Sequence, residues 1–579
     1  AGDGGEPAAP PLTVTPAETV LDPDQGETQV TFQVFLKDDS GADVEVTDET
    51  SFLASPLNMF QGPRMVLNPN SKGEITVTAK ARGRTGKARV IVAKKVFSPG
   101  VDPAAADKFR AATDPDAPAP QIVYPPSGIL VPPNMNSLEF HYLPAGNQDL
   151  FQLELLAPKG TLVTYFNCTP LQDGCVYTPE KAFWSSLANQ ARGLGPVRYR
   201  IRAVHADDPS TVAASQEGTI EFAGEDIIGG IYYWNAGAGI IQRYDFGYPG
   251  KQAENYMTAA GAGAGVCVGC HVLSRDGTRM VAGVDIPAPS IYKVFDVATK
   301  ALKYSQGTGF PGDTKGGNFF SFSPDNKQLM TSDGNKIVLR DGENGNALAD
   351  PLVPQGTMPD WAPDGKQMVY SRPGTLAPFA TPSISSASIE LLNFNGTIWG
   401  GNQTLVPFTG ENNYYPSFSP DQGWVVFNRS PSNRNSMDNS SASGDGQIWA
   451  VSPKGGAPLR LTNASPSGDG DQWPKWSPNV MTYSGGNVMW VTFTSVRGYG
   501  LRLNKGAQAQ LWMAAFDPAR AAAGEDPSFP AFWLPFQDMG SGNHIAQWVS
   551  KIVRRGCKDK GECEGAESCE NGYCVPDIK

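Results

Sequence analysis

Five short phrases recur in order through the second half of this 579-residue chain: Ser274-Arg275-Asp276-Gly277, Ser323-Pro324-Asp325-Asn326, Ala362-Pro363-Asp364-Gly365, Ser419-Pro420-Asp421-Gln422 and Ser477-Pro478-Asn479. Successive copies are 39 to 58 residues apart. Each follows a short apolar or aromatic segment, and most precede a strand-like run such as Met280-Val281-Ala282 or Trp424-Val425-Val426-Phe427. Third strands follow, among them Tyr292-Lys293-Val294-Phe295 and Gln447-Ile448-Trp449-Ala450-Val451. A polar turn repeated at this interval is the spacing of four-stranded blades, each unable to bury its faces except against its neighbours.

A sixth, degenerate copy is His544-Ile545-Ala546-Gln547-Trp548-Val549-Ser550, in which Trp548 takes the place of Trp476 and the Pro-Asp turn is lost. Strands near Ile231-Tyr232-Tyr233-Trp234 and Gln242-Arg243-Tyr244-Asp245-Phe246 would complete that blade, so both ends of the region close the ring. The phrases resemble the repeats of TolB-like β-propellers. The resemblance implies a six-bladed propeller over residues 225–555, with the innermost strand of each blade lining a central channel.

The rest of the chain also reads as all-β. Its 64 glycines and 49 prolines supply many turns, and 40% hydrophobic residues suffice for real cores. Residues 1–10 read as a flexible start. In 11–96, Val30, Phe32, Val34 and Leu36 alternate with Thr31, Gln33 and Phe35, and Ile75–Ala79 and Ala88–Val92 read as further strands. This segment resembles a bacterial Ig-like β-sandwich. Five prolines mark 97–121 as a linker. Residues 122–224 resemble a second Ig-like or fibronectin-like sandwich, with strands Leu138–Tyr142 and Val197–Arg202. The 556–579 tail is too short to bury a core; its four cysteines predict two disulfides of undetermined pairing around an Asn571-Gly572 turn.

The formal net charge of −12 disfavours nucleic acid or an anionic membrane surface as partner. No apolar run has the length of a transmembrane helix. Even, clustered cysteines (Cys168 with Cys175, then four in the tail) point to disulfides and an oxidising compartment. The acidic, Gly-rich beginning reads like a spacer following the lipid-bearing cysteine of a bacterial lipoprotein. The expected location is therefore periplasmic, outer-membrane-anchored or extracellular.

Cys267-Val268-Gly269-Cys270-His271 spells C-x-x-C-H, the attachment sequence of a c-type haem. Two thiols three positions apart can each form a thioether to one porphyrin, and the adjacent histidine then binds the iron. The motif resembles that of c-type cytochromes, which implies covalent haem c and attachment outside the cytoplasm. A thiol redox pair, a local disulfide or half of a zinc site are the alternatives; no second C-x-x-C supports zinc. Aligned on the repeats, His271 occupies the slot of Phe320, Pro359, Pro416 and Pro474, which places it on an inner strand.

The second iron ligand is expected from His544, two positions before the same slot on the last inner strand. Met358, aligned with Cys270, and Met539 are the alternatives, as is an open site. His141 and His205 are expected at the surface or on edge strands of the second sandwich. No Ser/His/Asp hydrolase constellation or phosphate-cradling loop is present. These features predict a single-haem electron-transfer or redox-sensing protein with a redox partner protein. A protein-interaction platform with structural haem is the second reading, and a peroxidase-like enzyme the third.

Overall fold

A computed structural model of the chain describes residues 10–38, 40–135, 138–247, 252–284, 291–306, 319–333, 336–374, 384–431, 445–563 and 567–576. They form two compact units. One takes in the described residues of Ala1–Gly128, Ser137–Phe222 and Gly500–Arg502; the other takes in those of Ile129–Asn136, Ala223–Tyr499 and Leu503–Lys579.

The first unit is built from sheets stacked around apolar faces. The run from Val30 to Leu36 buries its even-numbered side chains, as its alternation requires. It is nevertheless two strands. Gln29–Thr31 pairs with Arg64–Val66, whereas Gln33–Lys37 pairs with Thr13–Thr15 and Asp43–Glu45. The chain changes sheet at Phe32, whose ring is fully buried among Val34, Met65, Val77 and Val90. Gly73–Ala81 and Arg84–Val92 form a long antiparallel hairpin.

A second layer follows in the same unit, with Lys94–Phe97, Thr161–Asn167, Leu150–Leu156, Val197–His205 and Gly218–Phe222 adjacent in that order. Gln121–Tyr124, Phe140–Leu143, Gly174–Tyr177 and Thr169–Leu171 form the facing sheet, and Cys168 is bonded to Cys175. The proline-rich stretch 97–121, expected as a linker, is packed. Its Pro103–Phe109 segment forms a 3-10 helix capped by Asp102, and buries Phe109 against Tyr165. An α-helix, Lys181–Ala191, interrupts the β pattern and buries Phe183, Trp184, Leu187, Ala188 and Ala191 on one face.

His141, expected at the surface, is fully buried in this unit, where Nε2 lies 3.0 Å from a Glu139 carboxylate oxygen. Phe140, His141 and Tyr142 are all buried, so an alternating reading of this strand fails. His205 is half-exposed and pairs with Asp149 at 3.3 Å.

A buried ionic network ties the two layers. Glu154, with no exposed side-chain surface, accepts from Arg89 at 2.9 Å and Arg200 at 2.8 Å, and Glu18 pairs with Arg200 at 2.9 Å and Arg89 at 3.2 Å. Burial raises the pKa of Glu18, but the charges of Arg202, Arg200 and Arg89 more than offset it and hold the carboxyl below its ordinary value. A depressed folded-state pKa stabilises fully above the unfolded-state value, and that stability is lost as pH falls through the folded-state value. Glu18→Gln should therefore cost about 3–5 kcal/mol near neutrality. It should also flatten the acid limb of stability against pH, as measured by urea unfolding.

The second unit carries the repeats. Among its described residues, six four-stranded sheets follow one another, each a blade. From inside outward, the first blade is Asn543–Val549, Gly230–Asn235, Ile240–Asp245 and Glu254–Met257. Its innermost strand thus comes from the far end of the region, pairing Ile231 with Trp548 and Trp234 with His544. The remaining inner strands are Val268–Leu273, Phe320–Phe322, Thr357–Trp361, Glu411–Phe418 and Gln472–Tyr483. Each touches the next, and the sixth blade touches Asn543–Val549, closing the ring.

The repeated phrases form the turns between inner and second strands. Ser274 and Ser323 each donate to the Asp two residues on, at 2.7 Å, and accept from the backbone N–H five residues on. The fourth residue adopts left-handed φ in Gly277, Asn326, Gly365 and Gln422. The fifth phrase behaves differently. Gln472–Tyr483 runs through Ser477-Pro478-Asn479 with a shift of register, and the hairpin turns later, at Ser484-Gly485. The position equivalent to Gly277 is Val480, a β-branched residue unsuited to left-handed φ.

The tail pairs Cys557 with Cys569 and Cys563 with Cys574, and its Glu567–Glu570 and Tyr573–Pro576 hairpin turns at Asn571-Gly572. Among the described residues, no helix is long and apolar enough to cross a membrane.

Candidate functional site

Inner strands of the propeller share a backbone irregularity. Cys270, Met358, Tyr415, Trp473 and Ile545 have φ of +45°, +54°, +51°, +52° and +55°. These are equivalent positions of five blades, and at each the pairing with the second strand shifts register. Left-handed backbone costs a residue with a Cβ about 1–2 kcal/mol, so five recurrences mark a built feature of the ring.

The bulge decides what faces the axis. In an unbroken strand, consecutive side chains point to opposite faces. Here consecutive pairs line one cavity: Cys270 with His271, Met358 with Pro359, and Tyr415 with Pro416. Phe319, Trp473, Ile545, Lys475 and Gln547 complete most of its wall. The cavity holds about 580 Å³ including its open mouth. Tyr415 bridges Phe319 and Trp473, with ring centroids 5.8 and 5.3 Å away.

His271 is fully buried, and neither ring nitrogen meets hydrogen-bonding geometry with a neighbour. Burial pulls its pKa down to about 4, against a smaller opposing effect of the Tyr232 backbone. The ring is thus neutral at pH 7, with a lone pair to offer. Burial, helped by Cys267, pushes the Cys270 thiol up to about 12. A thiol so reluctant to ionise is poorly suited to disulfide exchange, which proceeds through the thiolate.

Six of the eight cysteines are in disulfides; Cys267 and Cys270 are the two that are not, although only two residues separate them. The sulfurs of Cys557, Cys563 and Cys574 lie close together, but all three are consumed by the tail disulfides. The donor set around 267–271 fits a c-type haem in its chemistry: two thiols outside disulfides and a neutral imidazole, beside an apolar aromatic cavity.

The other expected ligands divide. Met358 lines the cavity with His271 and is buried. His544 is buried too, and burial likewise lowers its pKa to about 4, but it does not line this cavity. It is packed against Trp234 at 5.9 Å and Trp473 at 5.5 Å, with Nδ1 lacking a hydrogen-bond partner. Two steps along a strand keep the facing direction only without a bulge, and Ile545 is the bulge. Met539 is half-buried in the preceding loop and is not part of the lining. The sequence signal for this wall is the slot before His271, which carries a large apolar side chain in the other five repeats: Phe319, Met358, Tyr415, Trp473 and Ile545.

Below this cavity the channel widens. Lys475 pairs with Asp360 at 3.2 Å at the level where the two spaces meet, and the second Asp360 oxygen accepts from the Phe418 N–H at 2.8 Å.

No protein family and no curated protein matches the chain. Among solved structures, a putative TolB from Agrobacterium tumefaciens is 18% identical, with a TM-score of 0.33 over 57% of this chain and 93% of its own. The β-propeller domain of the Trilobed protease from Pyrococcus furiosus is 9% identical, with a TM-score of 0.25 over 55% of this chain and 78% of its own. The fold assignment rests on the six blades themselves: this chain is an all-β protein whose second unit is a β-propeller closed by its own last strand.

Proposed function

We propose that the chain is an exported single-haem c-type cytochrome that uses a β-propeller scaffold for electron transfer or redox sensing. One observation carries the reading: the two cysteines outside disulfides lie just before a fully buried, neutral histidine, beside an apolar cavity on the propeller axis. A c-type haem held here supplies a one-electron iron couple. Cys267 and Cys270 would hold it covalently, and His271 would ligate the iron.

The chain's own groups serve such a couple in definite ways. Phe319, Tyr415 and Trp473 give the cavity an apolar wall, which favours the less charged state of a centre held there. Met358 lines the cavity with His271, whereas His544 packs against Trp234 and Trp473. The three disulfides support an oxidising compartment, periplasmic or beyond, with or without a lipid anchor. A redox partner protein follows from the function, since one centre in a chain of this length forms no internal wire.

The test is expression with a haem-attachment system, followed by oxidised and reduced optical spectra and haem staining after denaturing electrophoresis. Sharp reduced bands and stain retained on the denatured chain are expected. A folded protein without bound pigment would refute the reading.

A further inference from the structure

The wider chamber of the propeller channel is a second candidate site, on the side of the repeated turns. It holds about 1010 Å³ including its mouth, and its apolar wall includes Phe322, Phe418, Trp476 and Trp548. Both indole N–H groups are already engaged, by the Ser417 carbonyl and the Thr492 hydroxyl, each at 3.0 Å. These rings therefore offer apolar surface. Polar recognition must come from elsewhere in the wall.

Charge supplies it. The lining includes three charged side chains, Arg275, Lys475 and Asp360. Lys475 and Asp360 neutralise each other. Arg275 donates to the Trp361 carbonyl at 2.6 Å and feels the Asp360 charge from beyond ion-pair distance, so the two cations and one carboxylate leave the wall with one net positive charge. A guanidinium has five N–H donors in a planar fork suited to a carboxylate. Ser477, also in the lining, is buried with its hydroxyl lacking a hydrogen-bond partner.

The repeats show that Arg275 is an exception. Three sister turns carry proline at this position, Pro324, Pro363 and Pro420, as does the equivalent Pro478 where the strand runs on. The fold is thus satisfied by proline here, and the cation is an addition in one blade. We propose that this chamber binds a small organic carboxylate with a flat apolar body, its carboxylate on Arg275 and Ser477 and its body among the aromatic rings. The binding does not depend on the haem reading, because every group it uses lies outside the 267–271 motif.

Calorimetric titration of the full chain with benzoate and phenylacetate tests this, with benzyl alcohol and benzylamine as neutral and cationic controls. One carboxylate per chain is expected, with the controls much weaker. Arg275→Pro should weaken carboxylate binding about ten- to a hundredfold, the worth of a charge-assisted hydrogen bond. Thermal unfolding should fall only modestly, by loss of the hydrogen bond to the Trp361 carbonyl, because the sister turns already accept proline. Arg275→Lys should retain part of the affinity, and Arg275→Gln provides a second neutral variant should the proline disturb the turn. Equal binding of the controls, no carboxylate binding, or undiminished binding by both neutral variants would overturn the proposal.

Discussion

Replacing Cys267 and Cys270 together with alanine is expected to abolish haem staining on the denatured chain while the propeller still folds. Each change removes a single sulfur atom from a half-buried residue, so little packing is lost. His271→Ala should have a different signature: pigment stays covalently attached through the two thioethers, but the low-spin spectrum is lost because the iron loses its protein ligand. Comparing Met358→Ala with His544→Ala then assigns the opposite ligand. The cavity lining predicts that Met358→Ala converts the six-coordinate spectrum and shifts the potential, whereas His544→Ala acts only through packing of Trp234 and Trp473. A conversion seen only with His544→Ala would mean that the bulge at Ile545 rearranges when haem is attached.

A large effect on the stability of the propeller is expected where the ring is fastened. Trp548, on the strand that closes the first blade, stacks on Phe246 with centroids 5.2 Å apart and donates to Thr492 of the sixth blade. Trp548→Ala should cost about 3–5 kcal/mol, the range for truncating a large buried aromatic. The loss should fall on the closure in particular. Limited proteolysis should cut near Asn543–Val549 well before it cuts the second to fifth blades, and guanidinium unfolding should lose cooperativity. A uniform loss of protection across all blades would show instead that the ring opens as a whole.

What could be read from sequence was the chemistry of local turns. Ser-Pro-Asp-Gly phrases name their own conformation, because serine and aspartate satisfy the turn and glycine takes the left-handed angle. Hence the blades, and the closing strand that carries Trp548, were visible before the structure. Ser477-Pro478-Asn479 misled because β-branched Val480 stands where the other turns have Gly, Asn or Gln, and there the left-handed angle is costly, so the strand runs on. The bulges at Cys270, Met358, Tyr415, Trp473 and Ile545 left no trace, since none of these residue types favours left-handed backbone and the surrounding sheet imposes it. That hidden feature is why consecutive residues line the cavity, and why counting by twos from His271 did not bring His544 into it. Likewise, the helix Lys181–Ala191 and the burial of His141 follow from tertiary packing that no short window of sequence displays.

Closure by the last strand also sets an order of events. The strand that seals the first blade, Asn543–Val549, follows His271 by about 270 residues. A chain exported as proposed cannot close its ring until that strand has reached the same compartment. Until then the ring is a crescent, and the inner strand bearing Cys270 and His271, with Cys267 just before it, lies next to the gap. A buried motif is thus reachable by a modifying enzyme for a limited time early in the protein's life, and sealed afterwards. The age of the molecule, as much as its sequence, decides whether the cysteines can still be modified.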